Sequence, residues 1–345
     1  MGEKIAVVLF NLGGPDKTAS IKPFLKNFFM DKNIIDAPLP VRWMVSRLMA
    51  WRRGSGEALE AYSALGGKSA LLDNTELQRT ALERSLKQDY DGDIQCFISM
   101  RYWHPMADQV ARAVQDYDPD RIICLPLYPQ FSTTTMRSSF QSWDQACAKI
   151  NLDKPTLKHC CYPFDDGFIQ ASSDLIKHEI SKWPVDMPMR ILFSAHGLPE
   201  KIIQKGDPYQ WQCEESAAKI AAAMDIENLD WQICYQSRVG PLKWIGPSTE
   251  DALKQAAQDG VGVLIYPHAF VSEHVETLVE IEEEYREVAD HLGVPHFARV
   301  PTVMTHPKFI VGLKQLILQN LDNTGIVSDT TCPQNFKNCC QREGA

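Results

Sequence analysis

Two short segments in the second half of the chain carry ionisable side chains directly after predicted β-strands. The first is Ser-Ala-His-Gly-Leu-Pro, which places His196 between small residues. The second runs from His268 to Glu276 and also contains Glu273 and His274. An imidazole and a carboxylate can coordinate Fe²⁺ or accept protons near neutral pH. We therefore interpret His196 and Glu276 as a site for metal or proton chemistry, with a structural histidine as the alternative for His196.

Further glutamates follow Glu276 along the chain. They are Glu280, Glu282, Glu283 and Glu284. Residues four apart share one face of a helix, so we expect Glu276 and Glu280 to lie side by side. We interpret this pair as a relay that passes a hydrated cation or protons toward the site. For the last three glutamates we keep the usual interpretation, a solvated acidic face.

Cysteines are numerous, ten in all, and no secretory signal is evident. A disulfide framework is not expected in that setting. Cys332, Cys339 and Cys340 fall together in the last fourteen residues, which indicates a metal site. Clustered thiolates bind zinc, although C-x₆-C-C is not a usual zinc spacing. A disordered tail with idle thiols is another alternative.

Apolar runs that end in turn residues alternate with segments of helical periodicity. The predicted strands are Ile5–Asn11, Ile94–Met100, Arg121–Tyr128, Met189–Ser194, Trp231–Tyr235 and Val261–Tyr266. The predicted helices are Thr75–Asp89, Ala107–Tyr117, Phe168–Trp183, Glu214–Met224 and Glu250–Gln258. This alternation is typical of parallel sheets built from βαβ units.

The ends of the predicted strands recur in the same order in the two halves. Leu9–Pro15 resembles Leu192–Pro199, Ile98–Pro105 resembles Cys234–Pro241, and Leu127–Ser132 resembles Ile265–Ser272. The set predicts two similar α/β domains. The first half is longer, and its extra residues fall at about 16–60.

This insertion is rich in aromatic, methionine and arginine side chains, among them Trp43, Met44 and Leu48 beside Arg42 and Arg47. In open α/β sheets, ligands bind outside the carboxyl ends of the strands, so an insertion after the first strand would lie over that site. Such a flap suits a flat apolar ligand that carries acid groups. A helical hairpin that packs into the core is an equal alternative.

Composition narrows the classes of function. The 345 residues suit two domains, and the net charge of −9 argues against a nucleic-acid partner. No apolar run approaches the ~20 residues of a membrane span. The glycine patterns lack the spacing of NAD-binding or ATP-binding loops. The expected location is the cytoplasm.

Several motifs together resemble the ferrochelatase family. They are NLGGP, YSALGGKSALL, MRYWHP, LYPQFSTTT, SAHGLP, YQSRVGPLKWIGP and FVSEHVETLVEIEEEY, in the family's order from about residue 5 to about residue 320. The resemblance implies an α/β fold of two Rossmann-like domains. Each would have a parallel four-stranded sheet flanked by helices, with the active cleft between the domains. The expected domains are 1–155, 156–305 and a C-terminal helix and extension at 306–345, with the insertion as the porphyrin lip.

The same resemblance assigns roles to residues. It implies that His196 and Glu276 are catalytic and contact the substrate Fe²⁺, with Glu280 as a relay. His196 is expected to accept protons, and Glu276 to balance its charge. The positions expected to contact or line the porphyrin pocket are Leu12, Arg53, Tyr62, Ser69, Arg101, Tyr128, Trp244 and His274.

The implied activity is that of a lyase that inserts Fe²⁺ into protoporphyrin IX to form protoheme, the terminal step of heme biosynthesis. A coproporphyrin III ferrochelatase, another tetrapyrrole chelatase and a non-catalytic porphyrin-binding protein are the alternatives. The apolar insertion favours the less charged protoporphyrin. The sequence also leaves open a homodimer and peripheral contact with the inner face of the cell membrane.

Some members of the family carry a [2Fe–2S] cluster held by three cysteines of a C-terminal extension and one from the body. Cys332, Cys339 and Cys340 match that extension, with a spacing that departs from the animal pattern. The segment after Phe131 has no cysteine where animal enzymes have theirs. The resemblance implies Cys161 or Cys160 as the fourth ligand, because the bacterial members that carry the cluster take theirs from about there.

Overall fold

A computed structural model describes residues 2–238, 240 and 242–342. Two compact units divide the described chain: the first runs to Cys161 and includes Leu313–Ser328, and the second comprises Tyr162–Gly312 and the residues from Asp329 to Arg342. The domain boundaries that we predicted from the sequence stay a prediction. Residues 1 and 343–345, which belong to the first and last predicted domains, lie outside the described residues.

The strands of the described chain are short, with three to eight residues each. They are β1 (Lys4–Asn11), β2 (Asp93–Met100), β3 (Arg121–Pro126), β4 (Thr156–His159), β5 (Met189–His196), β6 (Trp231–Gln236), β7 (Gly262–Pro267), β8 (Phe297–Arg299) and β9 (Gly325–Val327). Every residue of β1 after Lys4 is buried, as is expected of a central parallel strand that helices cover on both faces.

The α-helices of the described chain mostly follow the strands. They are α1 (Ile21–Phe29), α2 (Leu39–Arg53), α3 (Glu57–Ala64), α4 (Leu71–Asp89), α5 (Ala107–Tyr117), α6 (Ser138–Ile150), α7 (Asp166–Ile180), α8 (Glu200–Gln204), α9 (Tyr209–Ala223), α10 (Thr249–Asp259), α11 (Tyr285–Leu292) and α12 (Pro307–Leu318). Two π-helical segments, Thr133–Arg137 and Glu276–Glu284, run directly into α6 and α11.

Both sheets are parallel. The first unit has the strand order β2-β1-β3-β4-β9, and the second has β6-β5-β7-β8. The first four strands of one unit therefore follow the order of the four in the other. This shared order confirms the two similar α/β domains that the matched strand ends predicted.

The predicted strand number was wrong for the first unit, whose sheet has five strands because β9 pairs with β4. The six strands predicted from sequence are all present. The three that were not predicted, β4, β8 and β9, have only three or four residues. Runs that short carry too little periodicity to stand out from a loop.

The insertion at 16–60 is helical, and its two longer helices differ in burial. In α1, apolar residues including Phe24 and Phe29 are buried, so this helix packs into the core of the first unit. In α2, only Ser46 and Ala50 are buried. The helix therefore presents large apolar side chains to solvent.

Candidate active site

His196 and Glu276 form a hydrogen-bonded pair in the second unit. His196 is the last residue of β5, at the carboxyl end of a central strand, where α/β proteins place ligands. Its Nδ1 lies 2.9 Å from Glu276 Oε2. The two side chains are 37% and 24% exposed, so the pair is reachable without being fully hydrated. A carboxylate in this place stabilises a protonated imidazole.

Glu276 begins the π-helical segment, and Glu280 lies within it. Glu280 accepts hydrogen bonds from the Gln236 side chain (3.0 Å), from the Ser237 N–H (2.7 Å) and hydroxyl (2.6 Å), and from the Tyr285 hydroxyl (3.2 Å). Burial and the nearby charge of Glu276 nevertheless raise the pKa of Glu280. Glu280 therefore holds a proton more readily than an exposed glutamate does.

His274 is buried just before this helix, and its ring packs on Phe270 at 4.7 Å between centroids. Burial lowers the pKa of His274, against the opposing charges of Glu276 and Glu273. The imidazole is therefore neutral near pH 7. Its Nδ1 has no hydrogen-bond partner within the described part of the chain.

Trp244 lies beside the loop that follows His196. Its backbone forms an antiparallel bridge with Pro199. A Cβ at Gly197 would come within 2.8 Å of the Gln236 carbonyl oxygen and 3.5 Å of the Trp244 ring. Only glycine allows so close an approach of backbone and ring. The structure thus brings the predicted pocket tryptophan next to the loop that follows His196.

Arg101, in the first unit, belongs to a network around the buried Asp31. Its Nη2 lies 2.9 Å from Asp31 Oδ2, and its Nε donates to the Ser138 hydroxyl at 2.6 Å. The Tyr102 hydroxyl also donates to Asp31, at 2.7 Å. Burial by itself would raise the pKa of Asp31, but the Arg101 charge and the hydrogen bonds from Ser138, Tyr102 and the Asn33 N–H lower it overall. The guanidinium is thus held by an internal ion pair, and its contact with a porphyrin stays a prediction.

The other predicted porphyrin positions of the first unit lie on several elements. A Cβ on Gly14, in the turn after β1, would lie 2.5 Å from Ser69 Oγ and 4.0 Å from the Tyr62 hydroxyl, so these two side chains meet at that turn. The remaining three are Leu12, Arg53 and Tyr128, which are all partly exposed. Porphyrin contact by these residues stays a prediction.

The cysteine-rich tail packs on α8 and α9 in the second unit. The Asn338 N–H donates to the Gly206 carbonyl (3.0 Å), and its side-chain amide donates to the Lys205 carbonyl (2.9 Å). The rings of Trp211 and Phe336 lie 5.7 Å apart. The tail is therefore held by both polar and aromatic contacts.

The three tail cysteines are buried, with exposures of 2% for Cys332 and Cys339 and 4% for Cys340. The Gln212 side-chain amide donates to the Cys332 sulfur at 3.3 Å. A hydrogen bond from Cys332 lowers the pKa of Cys339 to about 6, against the effect of burial. A thiol that ionises this readily is suited to metal binding. The donor chemistry of the tail therefore fits a thiolate-bound group.

The oxidation states of the cysteines determine which of them are available to bind a metal or a cluster. Cys160 and Cys340 are each in the disulfide form, whereas Cys161, Cys332 and Cys339 are free thiols. In the described part of the chain, no group of three or more histidines, cysteines or acidic residues is arranged to hold a metal ion. Cys340 must be reduced before it can serve as a cluster ligand.

The large exposed side chains of α2 form a patch that we call the lip patch. It consists of Leu39, Val41, Trp43, Met44, Leu48 and Trp51, which are 45–64% exposed. The helix also carries four arginines and no acidic residue. Among the described residues, no helix is long and apolar enough to cross a membrane.

Some residues that contact the candidate site were not predicted from the sequence. Gln236 and Ser237 bind Glu280, and Arg299 binds Glu273. For Gln236 and Ser237 a signal existed, because they belong to a repeated strand end. For Arg299 there was none, since its strand has three residues.

Sequence comparison decides the family. The model of the ferrochelatase family matches residues 4–321. The chain belongs to the ferrochelatase family. Proteins named ferrochelatase from Pelagibacter ubique, Caulobacter vibrioides and Rickettsia bellii are 46%, 45% and 43% identical to it. These alignments cover 97%, 100% and 98% of this chain and 98%, 99% and 95% of the relatives.

Solved structures agree on the fold. SirB from Bacillus subtilis with Fe³⁺ has a TM-score of 0.57 at 12% identity, and the match covers 92% of this chain and 97% of that one. The sirohydrochlorin chelatase SirB from Bacillus subtilis subspecies spizizenii, in complex with cobalt, has a TM-score of 0.51 at 10% identity, covering 93% and 96%. At these identities the likeness shows a shared α/β fold and confirms the predicted fold class.

Proposed function

We propose that this protein is a ferrochelatase, a lyase that inserts Fe²⁺ into protoporphyrin IX to form protoheme. The observation that carries the proposal is the His196–Glu276 pair at the carboxyl end of β5, in a chain of this family. The relatives named ferrochelatase align with this chain over nearly their full lengths. An imidazole paired with a carboxylate supplies the proton acceptor that the reaction needs.

Insertion releases two protons from the pyrrole nitrogens while Fe²⁺ loses water. His196 accepts a pyrrole proton, and Glu276 stabilises the imidazolium that forms. Glu280, whose pKa is raised, takes up a proton from the pair and passes it along the π-helical segment. A planar porphyrin keeps its nitrogen lone pairs in its own plane, so bending the ring exposes them to the metal. The strain energy of such bending is ~1–5 kcal/mol.

An anaerobic absorbance assay distinguishes this activity from the alternative substrates and from porphyrin binding without catalysis. Purified protein is mixed with Fe²⁺ and either protoporphyrin IX or coproporphyrin III. We expect conversion of protoporphyrin IX to protoheme, and slower conversion of coproporphyrin III. Faster turnover of coproporphyrin III would reassign the substrate. A porphyrin that binds and stays metal-free would indicate a porphyrin-binding protein without catalysis.

We also propose that Cys332, Cys339 and Cys340 hold a [2Fe–2S] cluster together with a fourth cysteine, for which Cys161 or Cys160 stays the prediction from sequence. Buried tail sulfurs and the Gln212 amide at Cys332 support it, because amide donors to sulfur stabilise bound thiolates. Such a cluster would supply tail stability or a sensing function and take no part in the insertion.

Anaerobically purified protein should then show visible absorbance that dithionite bleaches, and Cys339→Ser should lose this absorbance. Cys147→Ser, which removes a half-buried thiol from α6 in the first unit, is the matched control and should keep it. Colourless, fully active protein with about one zinc per chain would overturn the assignment, since four thiolates bind zinc equally well.

The lip patch supports a further proposal, that the protein contacts the inner face of the cell membrane peripherally. Tryptophans and arginines on one exposed helix are the side chains that interfacial segments use, apolar rings at the acyl boundary and cations at anionic headgroups. The cytoplasm is the compartment that fits this proposal. A homodimer stays a prediction from sequence.

A further inference from the structure

The π-helical segment Glu276–Glu284 is unusual for its length. π-helices mostly occur as single turns within α-helices, often at functional sites, whereas this one has nine residues. It carries Glu276 at its first position and Glu280 in its middle. A segment of this kind needs contacts from outside itself to keep Glu276 at hydrogen-bonding distance from His196.

Arg299, the last residue of β8, supplies such contacts. Its Nη1 donates to both carboxylate oxygens of Glu273, at 3.0 and 3.1 Å, and its Nε donates to Glu282 at 2.8 Å. Glu273 precedes the π-helical segment and Glu282 lies in its second half. The side chains of Arg299 and Glu273 are only 12% and 14% exposed. One largely buried guanidinium therefore links Glu273, just before the segment, to Glu282 in its second half.

Glu273 passes this restraint to the start of the segment. Its Oε2 accepts from the Thr277 hydroxyl at 2.5 Å, and Thr277 Oγ1 in turn accepts from the His274 N–H at 3.0 Å. Its Oε1 also accepts from the Thr302 N–H at 2.9 Å. Thr277 is fully buried and adjoins Glu276 in the chain. The carboxylate of Glu273 is thus saturated by donors that fix the turn leading into Glu276.

We propose that Arg299 is a positioning residue for iron insertion, which clamps the segment through Glu273 and Glu282 and thereby holds Glu276 against His196. This inference rests on the proposed function, because its effect on turnover presupposes that reaction. Loss of the guanidinium leaves Glu273 without its countercharge in a buried place, which is strongly unfavourable. The segment then loosens, and the catalytic pair loses its alignment.

The test compares Arg299→Gln, which removes the charge, with Arg299→Lys, which keeps a cation but not the planar fork. Arg286→Gln is the matched control. Arg286 also binds Glu282, but its second partner is the Phe297 carbonyl (2.8 Å). Two readouts are measured, the kinetics of Fe²⁺ insertion and the hydrogen–deuterium exchange of peptides spanning 273–284.

For Arg299→Gln we expect kcat to fall about tenfold to a hundredfold, because misalignment at this scale costs that much, while the porphyrin KM stays within about threefold. Exchange should accelerate in peptides of 273–284 and not across the unit. Arg299→Lys should lie between this variant and wild type, and Arg286→Gln should match wild type in both readouts.

Unchanged kcat and exchange in Arg299→Gln would overturn the proposal, as would equal effects in Arg286→Gln. If Arg299→Gln fails to fold, Arg299→Lys decides, since faster exchange confined to 273–284 supports the clamp and wild-type exchange contradicts it. A wild-type protein without iron insertion would overturn the proposed function, while the exchange data would still decide whether Arg299 holds the segment.

Discussion

The proposed function assigns the first proton step to His196, and the carboxylate of Glu276 helps to align its ring. The imidazole hydrogen bond to Glu276 fixes the ring, and the burial of the neighbouring His274 keeps that second imidazole neutral. The two histidines differ in exposure, since His196 is 37% exposed and His274 is buried.

Replacing His196 with alanine should abolish iron insertion and leave porphyrin binding nearly intact. Loss of a general base costs about a hundredfold or more, whereas the apolar binding surface is unchanged. Insertion is measured by absorbance and binding by quenching of protein fluorescence. His291→Ala, at an exposed position of α11, is the control and should behave as wild type. Turnover of His196→Ala within about tenfold of wild type would remove His196 from the mechanism.

Glu276→Gln should lower kcat strongly and leave the porphyrin KM nearly unchanged. The substitution keeps the shape of the side chain but removes the charge that stabilises the protonated imidazole. Steady-state kinetics at several porphyrin concentrations separate the two parameters. Glu283→Gln, an exposed position of the same segment, should leave both unchanged. A raised KM with normal kcat would make Glu276 a binding residue.

Residue types and spacing were sufficient to select His196, Glu276 and Glu280 as candidates, and the structure brings His196 Nδ1 to 2.9 Å from Glu276 Oε2. The roles of the three residues stay a prediction. Residue types and spacing were insufficient for Arg299, whose partners lie seventeen and more residues away and become neighbours only when β8 pairs with β7. Arg101 shows the reverse case. Its motif indicates a ligand contact, and the fold gives its guanidinium an internal partner in Asp31.

Among the elements, α2 differs from a core helix in that its apolar side chains are exposed. Trp43→Ser, Met44→Ser and Leu48→Ser combined should weaken binding to vesicles that contain anionic lipids, because they remove apolar area from the lip patch. Sedimentation with vesicles measures the binding. The melting temperature should change little, since exposed substitutions seldom alter stability by more than about 0.5 kcal/mol.

Leu77→Ser is the matched control for the lip patch, because Leu77 is a similarly exposed apolar residue (57%) on α4. It should bind vesicles as the wild type does. If the triple variant unfolds, α2 belongs to the core after all. If it folds and binds both vesicles and porphyrin normally, the lip patch has neither of the proposed roles.

Asp329, at the start of the tail, should make the stability of the folded protein depend on pH. Its carboxylate accepts from the Phe164 N–H at 2.8 Å. Burial raises the pKa of Asp329 from 3.8 to about 7, and the charge of Asp165 adds to the effect. The folded protein therefore binds this proton more tightly than the unfolded chain does. Ionising Asp329 lowers the free energy of unfolding as pH rises from 3.8 to about 7.

Asp329→Asn removes this penalty and keeps an acceptor for Phe164. Relative to wild type, the free energy of unfolding of the variant should rise across that window by about 1.4 kcal/mol for each pKa unit, and then stay level. Urea denaturation at a series of pH values measures it. Asp322→Asn, at an exposed position, is the control. A flat difference for Asp329→Asn would contradict the raised pKa.

The long elements were predictable because their periodicity is clear, as in α5, where the predicted and observed bounds coincide at Ala107–Tyr117. The π-helical segment was not, since glutamates and apolar residues three to four apart fit an α-helix equally well. Its backbone depends on tertiary contacts such as that of Arg299 to Glu273. Propensity alone does not contain that information.

At the level of the whole chain, the repeated strand ends correctly predicted two similar units. The strand orders β2-β1-β3-β4 and β6-β5-β7-β8 show why the repetition is visible, because equivalent loops follow equivalent strands. The fifth strand of the first sheet had no counterpart in the repeat. This strand, β9, consists of residues that follow the last helix, so no local sequence pattern predicted it.

We propose that the His196–Glu276 pair of this chain drives insertion of iron into a porphyrin. The most direct test of this role mixes anaerobic Fe²⁺ with a stoichiometric complex of the protein and protoporphyrin IX, and follows one turnover by absorbance. We expect the wild-type complex to convert to protoheme, and the complexes of His196→Ala and Glu276→Gln to retain free-base porphyrin over the same interval. A wild-type complex that keeps its porphyrin metal-free, or variants that convert at the wild-type rate, would contradict the account.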